Sequence, residues 1–432
     1  MSQKYVDEGL YDLRNKITLD HTLFEGDSNH RTEVMNKFFL DHINPDLGYP
    51  KLNKAGIDKK EKLIEELEEK LYSGDYLNFV KFAYRDVINE LRNLLEMARC
   101  TLRGDDKFFT ELGKIVYGEP VEESVRLVRA TVGRFCSKVN DGSPMLLRAA
   151  AHKLAPLWQE ADLIDFKEYL EKCGIPPEVD VSNEKLLTSE QVVQAFETAL
   201  TENNYPYSVI VSDDARNISV KHKRKVVVIP NDDWIQIRRR PLTKTTLNGL
   251  IQHEVGVHIY RKMNGLESPL YLLSVGLAGY LTFEEGLATG AEYKVNGLDL
   301  PELQKHLAIC LALGLLDGKS KDFSDTFSFM EAFCLLQTGV VTEESMQKAK
   351  DLAWCTSVRI FRGTTCKTPG GIYMKDVVYE LGFLKVNHLY QNDPDLLKIA
   401  LVGKCDPTLL NHRMVLEAMG LYHSYKSLHC QN

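Results

Sequence analysis

Long apolar runs are missing from this chain of 432 residues. The longest, YLLSVGLAGYL and LAICLALGLL, fall well short of the roughly 20 residues that a bilayer-spanning helix needs, so no membrane span is expected. A basic excess is missing too. Lys and Arg number 53 against 61 Asp and Glu, for a net charge of −8, whereas a protein that grips nucleic acid needs a basic surface. No CxxC pair occurs among the nine cysteines, which gives a cysteine-ligated structural metal little support. Their odd number and long intervals suit buried thiols in a reducing compartment. There is no internal repeat or low-complexity tract, and the opening MSQKYVDEGLYDL lacks an apolar h-region. The expectation is a soluble, cytoplasmic, globular protein that binds neither nucleic acid nor membrane.

What is present is mostly helical patterning. The first 50 residues have weak periodicity and loop signals, EGDSNH and NPDLGYP, and can wrap over the rest. From Lys59 the apolar spacing predicts helices over KKEKLIEELEEKLYSG, YLNFVKFAYRDVINELRNLLEMARC, EESVRLVRATVGRFCSKV, PMLLRAAAHKLAPLWQEA and IDFKEYLEKCG. The prolines near Pro176 interrupt the series, and SEQVVQAFETALTENN adds a helix with Ser189 as its cap. The period then changes. YSVIVSD, ISV and KVVVIP are short β-branched runs separated by turn residues, which predict a small antiparallel or mixed sheet, and IQIRRRPL is a further edge strand or a loop. Helical sequence resumes at TKTTLNGLIQHEVGVHIYRKMNG and continues to the end. The fold class is α+β and mostly helical, divided into a helical region over 1–180 and a second part over 181–432.

The chemistry concentrates in HEVGVH, with His253, Glu254 and His258. Two imidazoles and a carboxylate are the usual ligands of a catalytic zinc site, but the histidines are five apart rather than four. On a regular helix that separates them by about 140°, so both cannot face one ion. A π-type bulge, which inserts one residue into a turn, realigns them, and Gly256 between them lowers the resistance to such distortion. A third ligand is offered by Glu285 in TFEEGLA. A competing role exists for Glu285, because Thr282 and Glu285 have the spacing of a helix capping box. With His253, His258 and Glu285 on one zinc ion per chain, Glu254 would lie over the water and accept its proton.

At these residues the chain resembles the metallopeptidase family that contains the microtubule-associated tyrosine carboxypeptidases and their bacterial relatives, the proteins named for a QEGLA motif. The stretches that carry the likeness are HEVGVHIYRKMNG, SPLYLLSVGLAGYLTFEEGLA, FRGTTCKTPGGIYMKDVVYELGF and NPDLGYP, so it spans most of the chain, and the spacing between the two motifs is closer to the bacterial members. The resemblance implies a zincin-like core with a bulged HExxxH helix, zinc held by His253, His258 and Glu285, and Glu254 as the catalytic residue. Glu284 stands where many relatives have glutamine. It also implies removal of a C-terminal residue, with the tubulin tail tyrosine as substrate of the eukaryotic members.

An exopeptidase of this kind must hold a terminal carboxylate, for which a guanidinium is the natural partner. Arg362, Lys375 and Arg240, the last in an Arg238–Arg240 run, are the candidates for substrate binding, and Tyr373 or Tyr379 for a hydrogen bond to the oxyanion. The strands around KVVVIP offer an edge to an extended peptide, and a locally basic groove would suit an acidic C-terminal tail. Two rival readings remain at this point. One is a metallohydrolase of a small amide or peptide-like molecule, and the other a non-catalytic regulatory or interaction protein with a structural metal.

Overall fold

Apolar residues at helical spacing along Asn78–Arg103 bury Val80, Tyr84, Val87, Leu91 and Leu95, and this long helix organises the N-terminal half. The computed structural model describes residues 7–215, 217–236, 241–298 and 303–422. The main hydrophobic core runs from Leu10 to Tyr422 and takes side chains from both sides of residue 180. Three helices stand where no helix was anticipated: Glu8–Lys16, Ser28–Asp41 and Asp106–Tyr117. The capping is also shifted by one residue in the helix Ser189–Glu202, where Thr188 rather than Ser189 is the N-cap and pairs reciprocally with Gln191.

The sheet has three strands, β1 (Ser208–Ser212), β2 (Ser219–Lys221) and β3 (Val226–Pro230), in the order β1-β3-β2. β1 and β3 are parallel, whereas β2 and β3 form an antiparallel hairpin, so the sheet is mixed. β3, the KVVVIP run, is the central strand and paired on both sides, not an edge. The edges belong to β1 and β2. Asp232–Gln236 is a short helix rather than a strand, and Ile237–Arg240 lie outside the described residues.

Lys244–His253, the π segment Glu254–Ile259 and Tyr260–Glu267 follow one another without a break. This composite helix lies between two cores. Val255 and Ile259 join the smaller cluster under the sheet, with Val227, Ile229 and Phe196, while Val257 joins the main core. Burial on both flanks leaves a third face for the histidines.

Leu281–Asn296 packs closely on Val377–Asn392, and glycine sets how closely. A Cβ on Gly286 would stand 2.2 Å from the carbonyl oxygen of Gly382, and one on Gly382 would stand 2.1 Å from that of Thr282. Backbone meets backbone there, so no flexible side chain can yield. Gly286→Ala is therefore expected to cost about 1–3 kcal/mol, the usual range for overpacking, and to displace the adjacent Glu285. Urea unfolding measures the first effect and metal binding the second.

The N-terminal helices grip the loop after the helix Glu343–Phe361. Asp106 accepts from the Thr365 amide (2.8 Å), Thr110 Oγ1 accepts from the Ile372 amide (2.8 Å), and Tyr49 of NPDLGYP donates to the Thr364 carbonyl (2.9 Å). Gly363 sits in that loop at φ +85, where a Cβ would also strike Phe109. The early chain thus wraps the segment that carries Arg362. Among the described residues no helix is long and apolar enough to cross a membrane. Seven of the eight described cysteines are buried and Cys355 is exposed.

Candidate metal centre

The π segment begins at Glu254 and ends at Ile259, so the extra residue between the histidines is absorbed where the sequence required it. The ring centroids of His253 and His258 lie 5.0 Å apart at 72°. Gly256 has no left-handed backbone. A Cβ there would meet only the movable end of Gln252, so the glycine helps by lacking bulk.

Glu285 comes from Leu281–Asn296. The anticipated capping box does not form: that helix has Tyr280 as its N-cap without a side-chain bond. Thr282 is already helical, because the Glu284 amide bonds the Tyr280 carbonyl (3.0 Å). Glu285 is thereby free to point at the histidines, and one donor atom from each of His253, His258 and Glu285 lies within 4.8 Å of the others. His258 Nε2 and Glu285 Oε2 are 3.9 Å apart. Zinc bonds of about 2.0–2.1 Å put tetrahedral donors roughly 3.4 Å apart, so this pair need close by only about half an ångström. The three side chains keep 17%, 14% and 13% of their exposure, so the cluster is not fully sealed from solvent.

Each imidazole is oriented from behind. His253 Nδ1 lies 3.1 Å from Glu292 Oε2, and His258 Nδ1 lies 2.9 Å from Glu284 Oε1. An ionised carboxylate only accepts, so both Nδ1 atoms carry a proton, and each Nε2, once it holds no proton, is the nitrogen left for a metal, the usual carboxylate–histidine arrangement. Glu285 and Glu292 are seven residues apart, two turns along one helix face; that spacing was the available signal for Glu292, which the motif reading missed. Burial by itself would depress His253, yet the Glu292 bond and the charges of Glu254, Glu292 and Glu285 carry it up to about 9. Burial would also raise Glu284, but Lys404, Arg261 and His258 hold it well below the ordinary carboxylate range.

Glu254 adjoins His253, is half-buried, and is not among the three clustered donors. A second group of charges lies nearby. Burial and Arg362 push the Lys375 ammonium down to about 8, against the pull of Asp376 and Glu285, so Lys375 lies in the field of both Arg362 and the third donor. Arg362 stacks its guanidinium 4.9 Å over the Tyr373 ring and stands 3.8 Å from Asp376. Its Nε and Nη2 are buried with no hydrogen-bond partner among the described residues. Tyr373 is itself fully buried with Phe24, Phe109 and Tyr117, its hydroxyl 3.0 Å from that of Tyr117. Tyr379 is the tyrosine whose hydroxyl the Glu285 charge, followed by burial, pushes upward. Arg240, with Arg238 and Arg239, falls outside the described residues.

The family model described as microtubule-associated tyrosine carboxypeptidase matches residues 168–424, more than half of the chain, including His253, Glu254, His258, Glu285 and Arg362. The chain belongs to the microtubule-associated tyrosine carboxypeptidase family. In this carboxypeptidase family member the matched stretch starts at residue 168, so NPDLGYP and the N-terminal helices precede it, although the structure packs them on its Arg362 loop. No match is found among curated proteins or among solved structures.

Proposed function

We propose that this member of the family is a zinc-dependent carboxypeptidase that removes one residue from the C-terminus of a peptide or protein tail. The observation that carries the reading is the guanidinium edge of Arg362. Nε and Nη2 form one side of the fork, the side that matches a carboxylate with two parallel bonds, and a buried unsatisfied pair of donors calls for a ligand. A free terminal carboxylate seated there would have beside it Lys375, which lies in the field of both Arg362 and Glu285. Tyr373 then supports Arg362 from below, and Tyr379 is the better donor to the oxyanion.

The three donors suit zinc, with two nitrogens, one oxygen and a fourth position open. A bound zinc ion would supply Lewis acidity, activating water and polarising the scissile carbonyl. Glu254 takes the proton from the attacking water and passes it to the leaving amine. Arg362 fixes the end of the chain, so that the reacting carbonyl meets Glu254 in one register. The hairpin KHKRK at 221–225 and Lys262, which burial, Lys404 and Lys225 push down to about 8, concentrate positive charge near the histidine helix. An acidic tail, such as that of tubulin, fits this charge.

Elemental analysis tests the metal half of the reading, with about one zinc per chain expected. Because His253 holds its proton up to about pH 9 without metal, zinc must displace it. Affinity should therefore rise with pH up to about 9 and level off above it. Zinc binding that is flat between pH 6 and 9, or no zinc at all, counts against the ligand set.

A further inference from the structure

Glu284 receives more donors than a bystander needs. Its Oε1 accepts from His258 Nδ1 (2.9 Å) and from the Lys404 ammonium, and its Oε2 accepts from Arg261. Arg261 is fully buried and also clamps the carbonyls of Ala400 (3.0 Å), Gly403 (3.0 Å) and Cys405, so it fixes the loop that delivers Lys404. Lys404 is in turn braced from the sheet. Its Nζ lies 3.4 Å from His222 Nε2, and His222 Nδ1 lies 2.9 Å from the Tyr207 hydroxyl. Five side chains from four separate parts of the chain converge behind one imidazole.

We propose that Lys404 and Arg261 act through Glu284 as positioning residues for His258, and that residue 284 must here be a carboxylate rather than its amide. This rests on the metal-binding reading of His258. A carboxylate offers acceptors on both oxygens, and all three neighbours only donate. A glutamine offers one oxygen and one NH2 group. If the NH2 faced Arg261, two donors would collide inside the protein and both would go unsatisfied. If it faced His258, the imidazole would have to accept at Nδ1 and carry its proton on Nε2. That nitrogen faces Glu285 and would have no lone pair for a metal. Lys404 supplies the second half of the device: without it, Oε1 loses one of its two donors and the carboxylate is less firmly fixed behind His258.

The test is zinc affinity by competition with a chromogenic chelator, together with the visible spectrum of the cobalt(II)-loaded protein, which reports ligand geometry. Glu284→Gln is expected to weaken zinc binding about 10–100-fold, the usual effect of removing an outer partner of a ligating histidine, and to alter the cobalt bands. Lys404→Met should weaken binding less, and Lys404→Arg should restore most of it. Parental affinity and an unchanged cobalt spectrum in both Glu284→Gln and Lys404→Met would overturn the proposal. So would a lower melting temperature of the metal-free variants with parental affinity, since the network would then be structural only. A parent protein that binds no zinc would refute the metal reading itself, which the variants' ratios to the parent keep separate.

Discussion

Glu254→Gln is expected to keep its zinc and lose turnover by about 10²–10⁴-fold, the typical contribution of a positioned general base. Glu254 and the three clustered donors divide the labour. Glu254 is adjacent to His253 yet outside the three-donor cluster, so replacing its carboxylate removes no ligand. The amide is isosteric but cannot take a proton at neutral pH. Removing the Glu254 charge also removes one of the influences that raise His253, so the proton on the metal-free histidine should be lost more easily and zinc binding near neutrality should not fall. Metal content and steady-state peptidase rates on the same sample check both halves. A zinc-replete Glu254→Gln protein with parental turnover would remove Glu254 from the chemistry.

Arg362→Ala should raise KM for peptides with a free C-terminus by roughly 30–1,000-fold, with a smaller change in kcat. Truncating one partner of a buried charged pair costs about 2–4 kcal/mol, and each 1.4 kcal/mol is about tenfold. Discrimination is the sharper readout. The parent should reject a peptide whose C-terminus is amidated, since an amide cannot accept two bonds from the fork, whereas Arg362→Ala should treat acid and amide alike. The Tyr373 ring and Asp376 would remain, and Arg359 already satisfies Asp376 with bonds of 2.7 and 2.6 Å, so the variant should fold. Equal preference for acid and amide in the parent would contradict the assignment of Arg362.

The His253, His258 and Glu285 cluster was legible because a conflict in the sequence had one geometric solution. Histidines five apart cannot share a face of a regular helix, and the structure resolves this with a π turn at the predicted place. Glu285 was legible as a carboxylate one helical hairpin away. Its capping role was misleading, since T-x-x-E makes a capping box only if the threonine is the N-cap, and here the N-cap is Tyr280, two residues earlier. What lies behind the ligands was harder to see. Glu292 had a signal in its spacing, but Lys404 and Arg261 meet Glu284 through the tertiary fold, and no local pattern announces that. The parallel pairing of β1 with β3 is equally non-local. Ser28–Asp41 was unseen because Phe38 is its one deeply buried hydrophobic side chain, leaving little period to read, although Asp27 caps its start. Asp106–Tyr117 buries more and is capped by Asp105, so it was within reach of the sequence.

The central claim is metal-dependent release of a single C-terminal residue. Mass spectrometry of a peptide library with varied, acidic C-terminal tails, incubated with the protein with and without chelator, tests it most directly. The account predicts loss of one terminal residue from free-acid peptides, abolished by chelator, restored by zinc and absent from amidated peptides. Internal cleavage, or terminal trimming that persists in chelator, would contradict it.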